Sequence, residues 1–168
     1  MSETSFDVVI VGGGVIGSAT AYFLAACPDF EGRIAVVERD PSYQSGATGR
    51  SAGSIRQQFS TPENVAISRF GAAFLKNSGD WLEVEGQCPD VQLQEKGYLF
   101  LASEAGLEAL HRSHDVQLAG GAQVLLLDPE GLRQRFPWLS LEGLAAGSLG
   151  LADEGGFDPC APLQAFRA

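Results

Sequence analysis

The feature of this sequence that most constrains its fold is a glycine-rich turn that follows a short apolar run and precedes a predicted helix. The run from Val8 to Val11 is β-branched, as expected for a strand buried on both faces of a parallel sheet. The turn has the sequence Gly12-Gly13-Gly14-Val15-Ile16-Gly17. The helix predicted from Val15 to about Ala26 is so apolar that we expect it to be largely buried. Strand, turn and helix in this order predict the start of a Rossmann-like βαβ unit in an α/β fold.

The glycines of this turn have separate physical roles in binding a dinucleotide. Gly12 permits the tight turn out of the strand, and Gly14 leaves room for a pyrophosphate to approach the backbone. Gly17 lets the helix pack closely on the sheet. The free N–H groups and the positive dipole end at the start of the helix favour a phosphate there.

A second predicted strand, from Arg33 to Val37, places an acid where a ribose would be bound. Glu38 follows it directly, 21 residues after Gly17, and a ribose-binding acid is expected about 20 residues on. A carboxylate accepts hydrogen bonds from ribose hydroxyls and repels a 2′-phosphate, so NADP is disfavoured while NAD and FAD both remain. The agreement of two strands, a helix and a spaced acid favours a dinucleotide site over a purely structural glycine turn.

The segment from Ser45 to Phe59 interleaves glycines, hydroxyl residues, arginines and aliphatic residues. A flexible linker rarely has this mixture. Backbone N–H groups, hydroxyls and Arg50 or Arg56 suit further phosphate or the edge of a flavin. The segment therefore favours FAD over NAD as the dinucleotide.

Composition excludes several classes of function. The 168 residues carry a net charge of −10, which argues against binding to nucleic acids or anionic membranes. No run of about 18 apolar residues suggests a membrane span, and the first residues lack the basic and apolar stretches of a signal peptide. We therefore expect a cytoplasmic protein of one domain, or one and a fraction.

No metal site is predicted. Cys27, Cys88 and Cys160 are widely spaced and odd in number, which indicates reduced thiols. His111 and His114 lie on a predicted helix and are interpreted as part of a solvated face rather than as metal ligands.

The remaining chain predicts further helices and strands. They are a helix over 64–78, strands over 98–101 and 124–127, a helix over 129–135 begun by Asp128 and Pro129, and a helix from Cys160 to the end. The helix over 64–78 is predicted to bury Val65, Ile67, Phe70, Ala73 and Phe74. The stretch from Leu144 to Leu151 is rich in glycine and alanine, and little in it predicts regular structure.

Several motifs, taken in order, resemble the N-terminal part of FAD-dependent oxidoreductases of the D-amino-acid oxidase type. They are the glycine turn, Glu38, the segment 45–59, Lys96-Gly97-Tyr98-Leu99, Leu127-Asp128-Pro129-Glu130 with Phe136-Pro137, and Gly156-Phe157-Asp158-Pro159. That family includes glycine, sarcosine and dimethylglycine oxidases and dehydrogenases. The stretches Arg56-Gln57-Gln58-Phe59-Ser60 and Pro62-Glu63-Asn64 are most similar to its FAD-dependent oxidoreductase domain-containing branch.

The resemblance implies FAD as the cofactor and assigns site residues. Those expected at the FAD pyrophosphate are Gly12, Gly14, Val15, Ile16 and Gly17. Those expected on the adenosine side are Glu38 and Arg39, and those expected along the phosphate and flavin are Thr48, Ser51, Gly53 and Ser54. Arg56 matches a position that faces the flavin and the substrate carboxylate in the sarcosine-oxidase branch.

The resemblance also implies an architecture and an activity. Residues 1–80 would begin an FAD-binding domain, 81–152 would form part of an α+β substrate domain, and 153–168 would return to the first. The implied reaction is oxidation of the C–N bond of an amino acid or N-methylated amino acid. The alternatives are an NAD-dependent dehydrogenase and a non-enzymatic flavin-binding scaffold.

Family members are more than twice this long, so we expect the chain to be an N-terminal fragment that is inactive alone. Sheet edges that lack a neighbouring strand would make it poorly soluble or dimeric, and it would bind FAD weakly.

Overall fold

The computed structural model describes residues 5–87 and 89–168. Its elements, in chain order, are β1 (Val8–Val11), α1 (Val15–Ala25), β2 (Ile34–Val37), β3 (Ser54–Ile55), α2 (Pro62–Lys76), α3 (Ser78–Leu82), β4 (Leu99–Ala102), α4 (Leu107–Ala119), β5 (Val124–Leu127), α5 (Pro129–Arg135), β6 (Ala146–Gly150), β7 (Gly155–Gly156) and α6 (Cys160–Arg167). No helix within the described ranges combines the length and the apolarity needed to cross a membrane. The predicted thiol of Cys88 lies outside the described residues.

The chain divides into two compact units. The first unit takes its described residues from 1–52, 78–91 and 158–168, and the second comprises 53–77 and 92–157. The assignment of 1–80, 81–152 and 153–168 to cofactor and substrate domains stays a prediction, because compactness alone does not identify a functional domain.

The first unit contains the predicted βαβ arrangement. β1 and β2 are parallel neighbours, with Val8 opposite Ile34 and Val11 opposite Val37. α1 connects them, and its Tyr22 ring lies 5.4 Å from the ring of Phe166 on α6. Both strands and the helix begin and end within one residue of the positions predicted from the sequence.

The predicted burial of β1 and α1 is wrong. Val9 is 56% exposed, Val11 is 86% exposed, and α1 buries only Gly17 and Ser18. A parallel strand is buried on both faces only where helices cover both faces of its sheet. The alternating exposure along β1 shows that one face of this two-stranded sheet is uncovered among the described residues.

The second unit is built on an antiparallel sheet with the strand order β4-β6-β5. Its central strand, β6, lies within the glycine- and alanine-rich stretch for which no regular structure was predicted, and all five of its residues are buried. Small residues suit this position because neighbouring side chains occupy the space beside the strand. A Cβ on Gly147 would lie 2.8 Å from Leu132 Cδ2 and 3.3 Å from Leu99 Cδ1.

The apolar stripe predicted for α2 is partly wrong. Val65 and Phe74 are buried as predicted, whereas Ala73 is exposed and Ile67 and Phe70 are more than half exposed. Val65 is fully buried and packs with Ala122 and Val124 in the core of the second unit. These tertiary contacts therefore determine which side of α2 is buried, and the apolar pattern of its sequence does not.

Gly147→Val should lower the free energy of unfolding by about 1–3 kcal/mol, because the added methyl groups overpack the space beside β6. Equilibrium urea unfolding measures this change. Gly106→Ala is the control, since its Cβ would lie in ordinary contact 3.5 Å from Ala102 Cβ. Equal losses of stability in the two variants would contradict the role assigned to Gly147.

Candidate functional site

The glycine turn has a backbone conformation that only glycine adopts easily. The space beside this turn is open. Gly12 has φ +102°, in the region that disfavours side chains, and a Cβ there would meet nothing within 4 Å. A Cβ on Gly17 would lie only 1.9 Å from the Gly12 carbonyl oxygen. The first turn of α1 can therefore approach the end of β1 because Gly17 has no side chain.

The N-terminus of α1 is tied to the following loop by a side chain. Thr48 Oγ1 accepts a hydrogen bond of 3.0 Å from the Val15 N–H. The Ser18 hydroxyl donates to the Gly13 carbonyl at 2.8 Å. The other amides of the first helical turn have no partner within the helix, as at any helix start. Thr48 thus positions the helix start and satisfies one amide, and the adjacent amides remain suited to a phosphate.

The carboxylate of Glu38 connects the end of β2 to the glycine turn. Its Oε2 accepts from the Gly13 N–H at 2.8 Å, and its Oε1 accepts from the Asp40 N–H at 2.8 Å. These hydrogen bonds, with that from Asp40 the larger cause, lower the pKa of Glu38. A carboxylate has about four acceptor positions, so each oxygen retains capacity for a ribose hydroxyl.

The lowered pKa of Glu38 has a definite consequence for stability. The stabilisation from its ionised form is fully present above the ordinary pKa of a glutamate. It is lost as the pH falls through the lower pKa of the folded protein. Glu38 is therefore a carboxylate at neutral pH, the form that accepts hydrogen bonds from a ribose.

Asp40 organises the loop beyond Glu38, a role that sequence reasoning missed. Its Oδ1 accepts from the Ser42 N–H and hydroxyl, and its Oδ2 accepts from the Ser45 N–H and hydroxyl. The two hydroxyl groups are the main cause of a strongly lowered pKa of Asp40. The spacing Asp-x-Ser-x-x-Ser is the sequence signal that could have identified this turn.

The same loop brings an aromatic residue to the site. Tyr43 has φ 59°, and the guanidinium carbon of Arg167 lies 4.0 Å from the centre of its ring. A Cβ on Gly13 would lie 2.8 Å from the Tyr43 hydroxyl oxygen. The glycine turn is therefore enclosed by Tyr43 on the side of this loop.

These groups line an open cavity of about 410 Å³ in the first unit. Its walls include residues of the predicted site and two more of the predicted segment 45–59, namely Gly12, Gly14, Val15, Ile16, Gly17, Glu38, Thr48, Gly46 and Ala47. Tyr43 and Leu163 also line the cavity and were not predicted. The open space at the glycine turn, the helix start and the ionised carboxylate fit the pyrophosphate and adenosine ribose of a dinucleotide.

The remaining predicted residues have other surroundings. Arg39 and Ser51 are exposed residues of the first unit. Gly53 and Ser54 belong to the second unit, where Gly53 has φ 57° and Ser54 pairs with Gly156 between β3 and β7. Their predicted roles beside the flavin stay predictions.

Arg56 also belongs to the second unit, where its charge is unpaired. The centres of the Phe59 and Phe100 rings lie 4.7 Å and 5.5 Å from its guanidinium carbon. Its Nε is buried without a hydrogen-bond partner, and no salt bridge of the described residues includes it. Buried polar atoms usually have partners, so this atom is suited to an acceptor supplied by a ligand.

The histidines differ from each other. His111 is exposed, as the predicted solvated face requires, whereas His114 is half-buried and burial lowers its pKa. Within residues 5–87 and 89–168, no three His, Cys, Asp or Glu side chains group in a way that could hold a metal ion.

Gly17→Ala should weaken FAD binding by at least tenfold in the natural full-length protein, because the methyl group forces the helix start away from the Gly12 carbonyl and so displaces the phosphate site. Titration of the apoprotein measures the affinity. Gly106→Ala is the matched control, since its Cβ would lie in ordinary contact 3.5 Å from Ala102 Cβ and it does not line the cavity. An unchanged affinity in Gly17→Ala would overturn the assignment.

Glu38→Gln should reduce FAD affinity by about tenfold. A hydrogen bond to a charged acceptor exceeds a neutral one by roughly 1 kcal/mol or more. Calorimetric titration tests this change, and Glu31→Gln, at an exposed acid of the same unit, is the control. If both variants bind FAD as the wild type does, Glu38 does not hold the ribose.

Comparisons with known proteins show the family of this chain. Residues 7–168 match the family described as DAO: FAD dependent oxidoreductase. FAD-dependent oxidoreductase domain-containing protein 1 of Xenopus laevis is 48% identical over 164 residues, which cover 96% of this chain and 33% of that protein. The chain thus spans about a third of the length of such curated relatives.

Solved structures share the fold. L-proline dehydrogenase from P. horikoshii superposes with a TM-score of 0.75 at 26% identity, over 95% of this chain and 40% of that one. Glycine oxidase from Geobacillus kaustophilus gives a TM-score of 0.70 at 29% identity, over 96% of this chain and 43% of that one. These matches confirm the predicted fold class, and the family match decides the cofactor for FAD over NAD. The chain belongs to the DAO family of FAD dependent oxidoreductases.

Proposed function

We propose that this FAD-dependent oxidoreductase oxidises the C–N bond of an amino acid or an N-methylated amino acid. The observation that carries the proposal is the unpaired guanidinium of Arg56, which lies between two aromatic rings with a buried Nε. A substrate carboxylate is the acceptor that this group lacks.

The chemistry of Arg56 matches that of a carboxylate receptor. A guanidinium presents its donors in a planar fork that binds a carboxylate with two parallel hydrogen bonds. The rings of Phe59 and Phe100 lie against the guanidinium and its Nε is buried, and burial strengthens a charge-assisted hydrogen bond at that atom. A buried donor without an acceptor costs about 1–3 kcal/mol, and a bound carboxylate would remove that cost.

The solved relatives support the substrate class. Their names give glycine and L-proline as the molecules on which they act, and both molecules carry an amine beside a carboxylate. The substrate proposed for this protein combines the same two groups, and small N-methylated amino acids such as sarcosine have them too.

The proposed reaction balances as a two-electron oxidation. The carbon beside the nitrogen of the neutral amine loses a hydride equivalent, which leaves an iminium ion that water hydrolyses to a carbonyl compound and an amine or ammonia, with release of one proton. FAD supplies the electron acceptor when it is bound. The contribution of Arg56 is to hold the carboxylate, so that the reacting C–H bond has a fixed position.

Arg56→Met should raise the KM of an amino-acid substrate by about tenfold to a hundredfold, because it removes one charge-assisted interaction of roughly 1.5–3 kcal/mol. The assay uses the natural full-length protein loaded with FAD and offers glycine, sarcosine, N,N-dimethylglycine and proline, each beside its methyl ester. The esters should be poor substrates for the wild type and little affected by the substitution.

Arg112→Met is the control, because Arg112 is an exposed residue that pairs with Glu108 on α4. If the FAD-loaded protein oxidises none of these amines, it is a flavin-binding scaffold or acts on another class. If the acids and esters are equally good substrates, Arg56 is not a carboxylate receptor.

A further inference from the structure

The second unit contains a buried acid that is not part of the dinucleotide site. Glu154 is 1% exposed and directly precedes β7. Its Oε1 accepts from the Gln57 N–H at 2.7 Å, and its Oε2 accepts from Gln58 Nε2 at 2.9 Å. The carboxylate therefore binds two consecutive residues that immediately follow Arg56 in the sequence.

The Glu154 side chain has little freedom to move. A Cβ on Gly150 would lie 1.8 Å from Glu154 Oε2, so the carboxylate packs against the bare backbone at the end of β6. The Glu154 carbonyl accepts from the Gly97 N–H at 3.0 Å. A carboxylate held in this way is a fixed anchor for the groups that bind to it.

The segment 56–59 is fixed at each residue. The Ser68 hydroxyl donates to the Arg56 carbonyl, and Gln117 Nε2 donates to the Phe59 carbonyl at 3.2 Å. Gln58 Nε2 donates also to the Tyr98 carbonyl, at 2.9 Å. Glu154 accepts from the N–H of Gln57, the residue that directly follows Arg56.

Burying a carboxylate is expensive for a purely structural role. A buried charge is usually compensated by a cation, and no salt bridge of the described residues includes Glu154. A neutral glutamine would also fill the space at lower desolvation cost. A charged acceptor forms stronger hydrogen bonds than a neutral one, which suits a residue that holds a segment in one conformation.

We propose that Glu154 is a positioning residue for Arg56. By binding Gln57 and Gln58, it fixes the backbone from which the guanidinium reaches the substrate carboxylate. This inference rests on the function proposed above. A displacement of about 1 Å in a substrate-binding group can cost about a hundredfold in rate, so the loss of this anchor has a measurable effect.

Hydrogen exchange tests the anchor without substrate. In Glu154→Ala and Glu154→Asp of the natural full-length protein, the amides of residues 55–60 should exchange at least tenfold faster, because the Gln57 N–H loses its acceptor. Glu154→Gln keeps one acceptor oxygen but loses the charge and the second acceptor, so it should restore only part of the protection. Glu130→Gln is the control, since Glu130 pairs with Arg133 on α5 rather than with this segment. Unchanged exchange in Glu154→Asp would overturn the proposal even if Glu154→Ala fails to fold.

Steady-state kinetics of the FAD-loaded protein test the link to Arg56. Glu154→Asp should raise the KM for the amino-acid substrate about tenfold with a smaller change in kcat, and Glu154→Gln, which keeps one acceptor oxygen but not the charge, should raise it less. In an Arg56→Met background, Glu154→Asp should add nothing, because its effect passes through the missing guanidinium. An equal rise in KM in both backgrounds would show a merely structural role.

The two proposals can fail separately. If Arg56→Met leaves KM unchanged, the carboxylate-receptor function fails, and the role of Glu154 in substrate binding falls with it, whatever the exchange data show. If Arg56→Met raises KM and Glu154→Asp does not, the function stands and the positioning role is overturned.

Discussion

The first turn of α1 passes so close to the end of β1 that the Gly12 carbonyl oxygen occupies the space of a side chain at Gly17. The arrangement of the first unit depends on this approach. It brings the helix start beside the glycine turn, where Thr48 and Glu38 bind backbone amides of the turn and the helix. The open cavity at this point exists because the glycines leave it unfilled and the polar groups around it are fixed.

The two units carry different parts of the chemistry. The first unit offers amides, a helix start and an ionised carboxylate, which suit the phosphate and ribose of FAD. The second unit offers a cation, Arg56, with aromatic neighbours and an anchored backbone. The cofactor binding expected at the first unit thus depends mainly on backbone geometry, whereas the proposed substrate recognition depends on one charged side chain and on Glu154.

The sequence predicted the parts of the structure that local spacing determines. The strand, turn, helix and acid from Val8 to Glu38 were correctly placed, because each has a short-range signal. β6 was missed because alanine and glycine have no strand signal, and its burial comes from two neighbouring strands distant in sequence. Glu154 was missed for the same reason: its partners lie almost a hundred residues earlier. The exposure of Val11 was mispredicted because burial depends on layers that a motif does not specify.

The central claim is that the cavity at the glycine turn binds the adenosine diphosphate half of FAD. Competition titration on the natural full-length apoprotein tests it most directly, with FAD displaced by ADP or by FMN. The site geometry predicts that ADP competes with FAD for binding and that FMN, which lacks the adenosine and its ribose, competes far less. Displacement of FAD by FMN but not by ADP would contradict the assignment.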